Sequence, residues 1–173
     1  MLNPPNFENN TLMLGDNINL IPMLANESVD LIYCDPPFNS NRNYIVTDDK
    51  DVKYFKDVWK GGQDTYLEFM FDRLLLLRQV LKPTGSIYLH CDPTMSHYLK
   101  ITMDKIFGRG NFRNEVVWCY SGGGIPKNDF PNKHDIIFRY SKTSEYMFNA
   151  ENVRVPYDSN YKGTSFFISY YFF

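Results

Sequence analysis

Cysteine is scarce in this 173-residue chain. Cys34, Cys91 and Cys119 are an odd number at wide spacing, which excludes a disulfide framework. Histidine is equally scarce: His90, His97 and His134 include no pair at ligand spacing from each other or from a cysteine, so a metal site is not expected. No secretory leader pattern is present, and no apolar run approaches the roughly 20 residues needed to span a bilayer. A reducing cytoplasm is the expected compartment, away from membranes. A strong charge of one sign is missing too, since 18 basic and 20 acidic side chains leave a net charge of -2. The spread is uneven. Residues 1–104 carry 9 basic and 14 acidic side chains, whereas residues 105–173 carry 9 and 6. The mildly basic second part suits phosphate contacts or an ordinary mixed surface. The three successive glycines, Gly122 to Gly124, lack a following Gly-Lys-Ser/Thr and do not open a helix, which excludes a nucleotide phosphate loop.

What is present fits one domain with a real core, at 43% apolar residues. Strands are expected at 11–14, 28–34, 86–90, 115–120, 135–140 and 145–149, with those at 28–34 and 86–90 as parallel neighbours. Short helical spacing covers Ile18 to Leu24, with Pro22 tolerated in a first turn. Thr65 and Glu68 have capping-box spacing. Leu67, Met70, Phe71, Leu74, Leu75, Leu77 and Leu81 then give a broad apolar face, so a helix is expected over 65–81. Lys82-Pro83-Thr84-Gly85 should stop it. A further helix should run from about Thr94 or Ser96 to Phe107 and end at Gly108. Asn39 to Lys60, dense in Lys and Asp, reads as a mobile loop able to close over a ligand.

One stretch organises the rest. Val29-Asp30-Leu31-Ile32-Tyr33-Cys34 is rich in strand formers and is stopped by Asp35-Pro36-Pro37-Phe38-Asn39. Proline cannot donate to a sheet ladder, and two prolines fix φ twice over, so a stiff corner is expected at the carboxyl end of a buried strand. Such ends are where open α/β sheets bind ligands. A carboxylate and a rigid carbonyl are both acceptors and can hold an amino group through its two protons. An adjacent ring can stack on a flat heterocycle. The set suits the exocyclic amine of adenine or cytosine. A strand that merely ends in a proline turn has the same tetrapeptide.

Asp35-Pro36-Pro37-Phe38 resembles the catalytic motif of amino-methylating DNA methyltransferases. The resemblance continues through Leu81 to Thr94, Ser96 to Lys100, Ile106 to Gly108, Asn111 to Glu115, Lys133 to Asp135 and Tyr140 to Lys142. It spans about residues 11 to 162 and points to the class whose catalytic half precedes its cofactor half, as in modification subunits of restriction systems. It implies an α/β fold: the catalytic half of a Rossmann-like, S-adenosylmethionine-dependent methyltransferase sheet with flanking helices. It implies methylation of adenine N6 in duplex DNA, with cytosine N4 as the rival. A second alternative is an inactive DNA-binding or docking remnant.

By the same resemblance, Asp35, Pro36, Pro37 and Phe38 are the catalytic set, and Asp16 and Asp35 lie near S-adenosyl-L-methionine; as a lone turn aspartate, Asp16 also reads as a simple cap. Asn39, Gly123, Lys127 and Lys133 are the expected DNA contacts, although a plain loop explains the region around Phe130 equally well. His90 and Asp92 are candidate pocket residues at a second strand tip. Double-stranded DNA is the implied partner, with a restriction subunit or a second methyltransferase subunit as further candidates. The expected organisation is a loose N-terminus over 1–10, a catalytic half-domain over 11–157, and a truncated or out-of-frame tail over 158–173. The family's late Phe-x-Gly-x-Gly-like turn has no match here, so the catalytic strand is expected at an unprotected sheet edge.

Overall fold

The computed structural model describes residues 10–39, 43–48, 51–56, 59, 61–121 and 126–153. In chain order its elements are α1 (Asn17–Leu20), a 3-10 turn (Ile21–Met23), β1 (Val29–Cys34), β2 (Asn43–Asp48), β3 (Asp51–Lys56), α2 (Gly62–Val80), β4 (Leu81–Cys91), α3 (Pro93–Phe107), a second 3-10 turn (Arg109–Asn111), β5 (Phe112–Cys119), β6 (His134–Ser141) and α4 (Ala150–Val153). Four strands form one sheet in the order β1-β4-β6-β5. The expected parallel pairing of β1 with β4 is present, whereas β4–β6 and β6–β5 are antiparallel. Among the described residues β1 ends the sheet on one side, as expected of the strand that carries the corner.

The core fills one face of this sheet. Ile87 and Leu89 of β4 and Phe138 and Tyr140 of β6 alternate onto it, as period-2 side chains must. From α2, Tyr66, Met70 and Leu74 form an i, i+4 stripe, and α3 adds Met95, Leu99 and Met103. The buried stripe is narrower than the expected face: Phe71 and Leu75 are 37% and 38% exposed. The opposite sheet face is open toward its edges, with Leu31 59%, Tyr33 53% and Trp118 53% exposed, while Ser86, His90 and Arg139 at its centre are buried. β1 is therefore half-buried rather than the buried strand its composition suggests.

Several local expectations are corrected. Thr65 does not cap α2. The helix begins a turn earlier, after Gly61 at φ 108°, a conformation that other residues rarely adopt. The α2 to β4 connection is also tighter than expected. Val29 pairs with Leu81 and Leu31 with Ser86, so Lys82 to Gly85 bulge out of the ladder. That bulge is where Pro83 can sit within a strand. A side chain at Gly85 would approach Leu81 Cδ1 to 2.7 Å and the Asp30 carbonyl oxygen to 2.9 Å, so the bulge also requires glycine.

Residues 11–14 form no strand. Leu12 and Leu14 are 95% and 98% exposed, and neither packs onto the core. Residues 145–149 form none either, because Tyr146 and Phe148 lie over the Arg139 guanidinium instead of entering a ladder. Within the expected 39–60 loop, β2 and β3 form an antiparallel hairpin, with Asn43 opposite Lys56 and Asp48 opposite Asp51. The strand formers Tyr44, Ile45, Val46, Val52, Tyr54 and Phe55 outweigh the charges between them. No helix among the described residues is long and apolar enough to cross a membrane.

Candidate functional site

The parallel register fixes the site. Cys34 lies opposite Leu89, so one residue further along Asp35 comes beside His90. Asp35 Oδ1 is 3.3 Å from His90 Nδ1, and the Asp35 side chain remains 59% exposed. Tyr33, on the open face of β1, brings its Oη to 3.2 Å from the same nitrogen. On the other side of the ring, Asp135 Oδ2 at the start of β6 is 3.4 Å from Nε2. Asp135 pairs with Trp118 across β5–β6, which sets the indole against the imidazole at 5.7 Å between centroids. Phe38 meets the His90 ring edge-on at 5.0 Å. Residues from β1, the proline corner, β4, β5 and β6 thus converge on one imidazole.

The corner itself is braced from α2. The fully buried Tyr66 donates its hydroxyl to the Pro37 carbonyl at 2.8 Å. Asn39 adopts φ 55°, is buried, and turns its amide inward: Oδ1 accepts from the Trp59 N–H at 3.4 Å, and Nδ2 lies 3.8 Å from Met95 Sδ. Its side chain closes the turn, which is a different local task from the DNA contact expected of it.

Beside the corner, between β1 and α2, lies a cavity of about 320 Å³. Ile32, Phe69 and Leu77 give it apolar walls, Asn17 and Arg73 polar ones, and Asp35, Pro36 and Pro37 form one end. This size falls in the usual range of ligand pockets, about 300–1,000 Å³. Arg73 stacks on Phe69 at 3.4 Å and is held by Asn17 Oδ1 and Asp16 Oδ1, both at 2.8 Å. Asp16 also caps α1 through the Ile18 N–H. That backbone hydrogen bond, together with Arg73, holds its carboxyl below the usual range. Asp16 and Asn17 together therefore orient Arg73 at the cavity wall.

Burial, with Asp35 alongside, pushes the Cys34 thiol up to about 11, so it is no nucleophile near neutrality. Desolvation of its hydroxyl raises the Tyr33 phenol, helped by the carboxylates of Asp35 and Asp135, so it stays protonated. Asp92 does not line the site; it is the buried N-cap of α3, accepting from the Thr94 and Met95 N–H groups. Among the described residues no cluster of three or more His, Cys, Asp or Glu is arranged to hold a metal ion. Lys127 and Phe130 are exposed in the β5–β6 connection and Lys133 is half-buried at its base, while Gly123 lies outside the described residues. Tyr33, Arg73, Trp118 and Asp135 escaped the reading of the sequence. Only strand pairing and the α1–α2 contact bring them to the site.

A family model described as DNA methylase matches residues 29–165. The Mod subunit of the type III restriction-modification enzyme StyLTI, from Salmonella typhimurium, is 32% identical over 187 residues, covering 88% of this chain and 28% of that protein. The chain spans about a third or less of the length of such curated relatives. The PvuII cytosine-N4-specific DNA methyltransferase shares the fold, with a TM-score of 0.60 at 18% identity over 81% of this chain and 51% of its own. TTHA0409 of Thermus thermophilus, solved in complex with S-adenosyl-L-methionine, has a TM-score of 0.52 at 14% identity over 83% of this chain and 61% of its own.

Proposed function

We propose a specific activity for this chain, which belongs to the DNA methylase family: transfer of a methyl group from S-adenosyl-L-methionine to adenine N6 in duplex DNA. One observation carries the reading. Asp35 forms an end of the cavity and also faces the aromatic cluster around His90. A carboxylate in that place stands between a donor molecule on one side and a flipped base on the other. The cavity residues fit the cofactor: apolar walls suit its adenosine, and the Asp35 carboxylate suits a nearby cationic centre. Bound there, the cofactor would supply an electrophilic methyl group. Ile32 and Phe69 would hold it, with Arg73 and Asn17 at its polar end.

The chain's own residues prepare the amine. Its lone pair delocalises into the base, so it is a poor nucleophile. Asp35 and the Pro36 carbonyl accept its two protons and draw the nitrogen toward tetrahedral geometry. Phe38 stacks on the base, which has left the duplex at a cost of a few kcal/mol. Positioning and fixed acceptors supply most of the acceleration. Lys127 and Lys133 would meet phosphates near the β5–β6 connection, with Gly123 as a further contact from the same stretch of sequence and Asn39 shaping the base side of the corner. Resemblance to modification subunits supports a cytoplasmic enzyme that works with a restriction subunit or a second methyltransferase subunit.

Cytosine N4 presents the same two protons, and the fold is shared with a cytosine-N4-specific enzyme. The test is methyl transfer from labelled cofactor to duplex DNA, with the product nucleosides separated. N6-methyladenine, abolished by Asp35→Ala, is the expected product. N4-methylcytosine would establish the rival. DNA binding without transfer would identify an inactive DNA-binding remnant.

A further inference from the structure

His90 is the least explained group at the site. Its side chain is 8% exposed, yet both ring nitrogens face carboxylates, Asp35 at 3.3 Å and Asp135 at 3.4 Å. Its Nε2 is fully buried and has no well-aligned hydrogen bond among the described residues. A buried polar atom without a partner costs stability, so its retention calls for a reason. The surroundings fix the ring plane, with Phe38 edge-on, Trp118 tilted and Tyr33 beside Nδ1.

Tyr33 Oη lies 3.2 Å from Nδ1, and a phenol can donate or accept there, so this contact fits either tautomer. In the tautomer where the phenol donates, Nδ1 offers its lone pair and the ring proton sits on Nε2, facing the Asp135 carboxylate. This is the arrangement in which a carboxylate orients an imidazole and stabilises the cation that it can become. Approaches of 3.3–3.4 Å are long, but such bonds commonly tighten only when substrate is bound.

We propose that His90 and Asp135 form a proton-accepting pair behind Asp35. This rests on the amine-methylating role argued above. Each transfer would form one N–C bond, break the bond between the methyl group and the donor's sulfur, and release one proton from the amino group. The released proton passes to an Asp35 oxygen and from Asp35 to His90 Nδ1, as the Tyr33 hydroxyl turns aside and keeps its own proton. Asp135 holds the Nε2–H throughout, so the imidazolium lies between two carboxylates. The proton then leaves through the exposed edge of Asp35, and the carboxylate is restored for the next turnover. His90 and Asp135 act through Asp35 and are positioning residues.

Nitrogen-15 NMR of histidine-labelled chain tests the pair without requiring turnover. His97 and His134 serve as internal controls for the fold. The His90 ring is expected as the Nε2–H tautomer. Asp135→Asn should shift it toward a tautomer mixture, Asp135→Glu should restore much of the bias, and Asp35→Ala should move the Nδ1 resonance with little change at Nε2. An Nδ1–H ring in the parent chain, or a tautomer indifferent to Asp135→Asn with the control signals unchanged, would overturn the pair. Adenosine is added in a separate arm. Perturbation of the His90 signals supports an amine site at the corner, whereas its absence alongside the expected tautomer counts against the amine-binding role and not against the ring geometry.

Discussion

Tyr66→Phe separates the bracing of the corner from the packing beneath it. The ring is fully buried and stays in place, 5.6 Å from Trp59 between centroids, so only the hydroxyl that reaches the Pro37 carbonyl is lost. Two magnitudes compete. A stranded buried acceptor costs about 1–3 kcal/mol, whereas the net loss of a bond whose acceptor can rehydrate is about 0.5–1.5 kcal/mol. Pro37 is exposed and lines the 320 Å³ cavity. A water needs only about 10–15 Å³, so the carbonyl can rehydrate and the smaller figure applies. The expected loss is about 1 kcal/mol, or about 2–4 °C in Tm for a chain of this size. Urea unfolding followed by tryptophan fluorescence should show a lower midpoint at unchanged slope. Methyl transfer should fall further than stability does, because the released carbonyl loosens the corner on which Asp35 stands. A variant as stable as the parent, or one losing more than about 3 kcal/mol as a cavity mutation would, would refute the bracing role.

Phe38→Ala should reduce transfer and raise the DNA concentration needed for it, while Phe38→Tyr should be tolerated; steady-state kinetics decides, and equal damage from both would count against stacking. Desolvation pushes the Asp104 carboxyl up, but hydrogen bonds from Tyr140, at 2.6 Å, and Lys100 outweigh it and leave it below 3.8. A depressed folded value means stability that is present above the unfolded pKa and lost as pH falls through the folded one. The parent should therefore lose more stability on acidification below about pH 4 than Tyr140→Phe does, as measured by urea midpoints across that window. Among the described residues one edge of β1 is open, which should promote self-association, and Leu31→Lys on its exposed face should reduce it; sedimentation at several concentrations checks both.

The proline corner was legible because its cause is local. Pro36 and Pro37 end a strand whatever surrounds them, and Asp35 must then stand at its tip. The α2 helix was legible from apolar spacing, the end of α3 from Gly108, and the parallel β1–β4 pair from two strands separated by a helix. The misreadings have a different origin. Thr65 and Glu68 have the spacing of a cap, but Gly61 can start the helix earlier, and nothing in four residues tells which wins. Asp92 carries the right chemistry at a strand tip, yet the N–H groups of its own helix claim it first. Trp118 and Asp135 join the site through the β5–β6 register, a long-range choice that one sequence does not display.

The corner's position on the end strand bears on how the site opens. Among the described residues β1 is laddered to β4 along one side only, so its amides should exchange with solvent through small local openings well before global unfolding. The corner beyond it is held by other means: fixed proline φ angles and the Tyr66 hydroxyl on Pro37. Pro36 and Pro37 have no amide hydrogens to lose. β1 can therefore fray without disordering the acceptor geometry, and amide exchange would read Ile32 to Cys34 as labile beside a corner that keeps its shape.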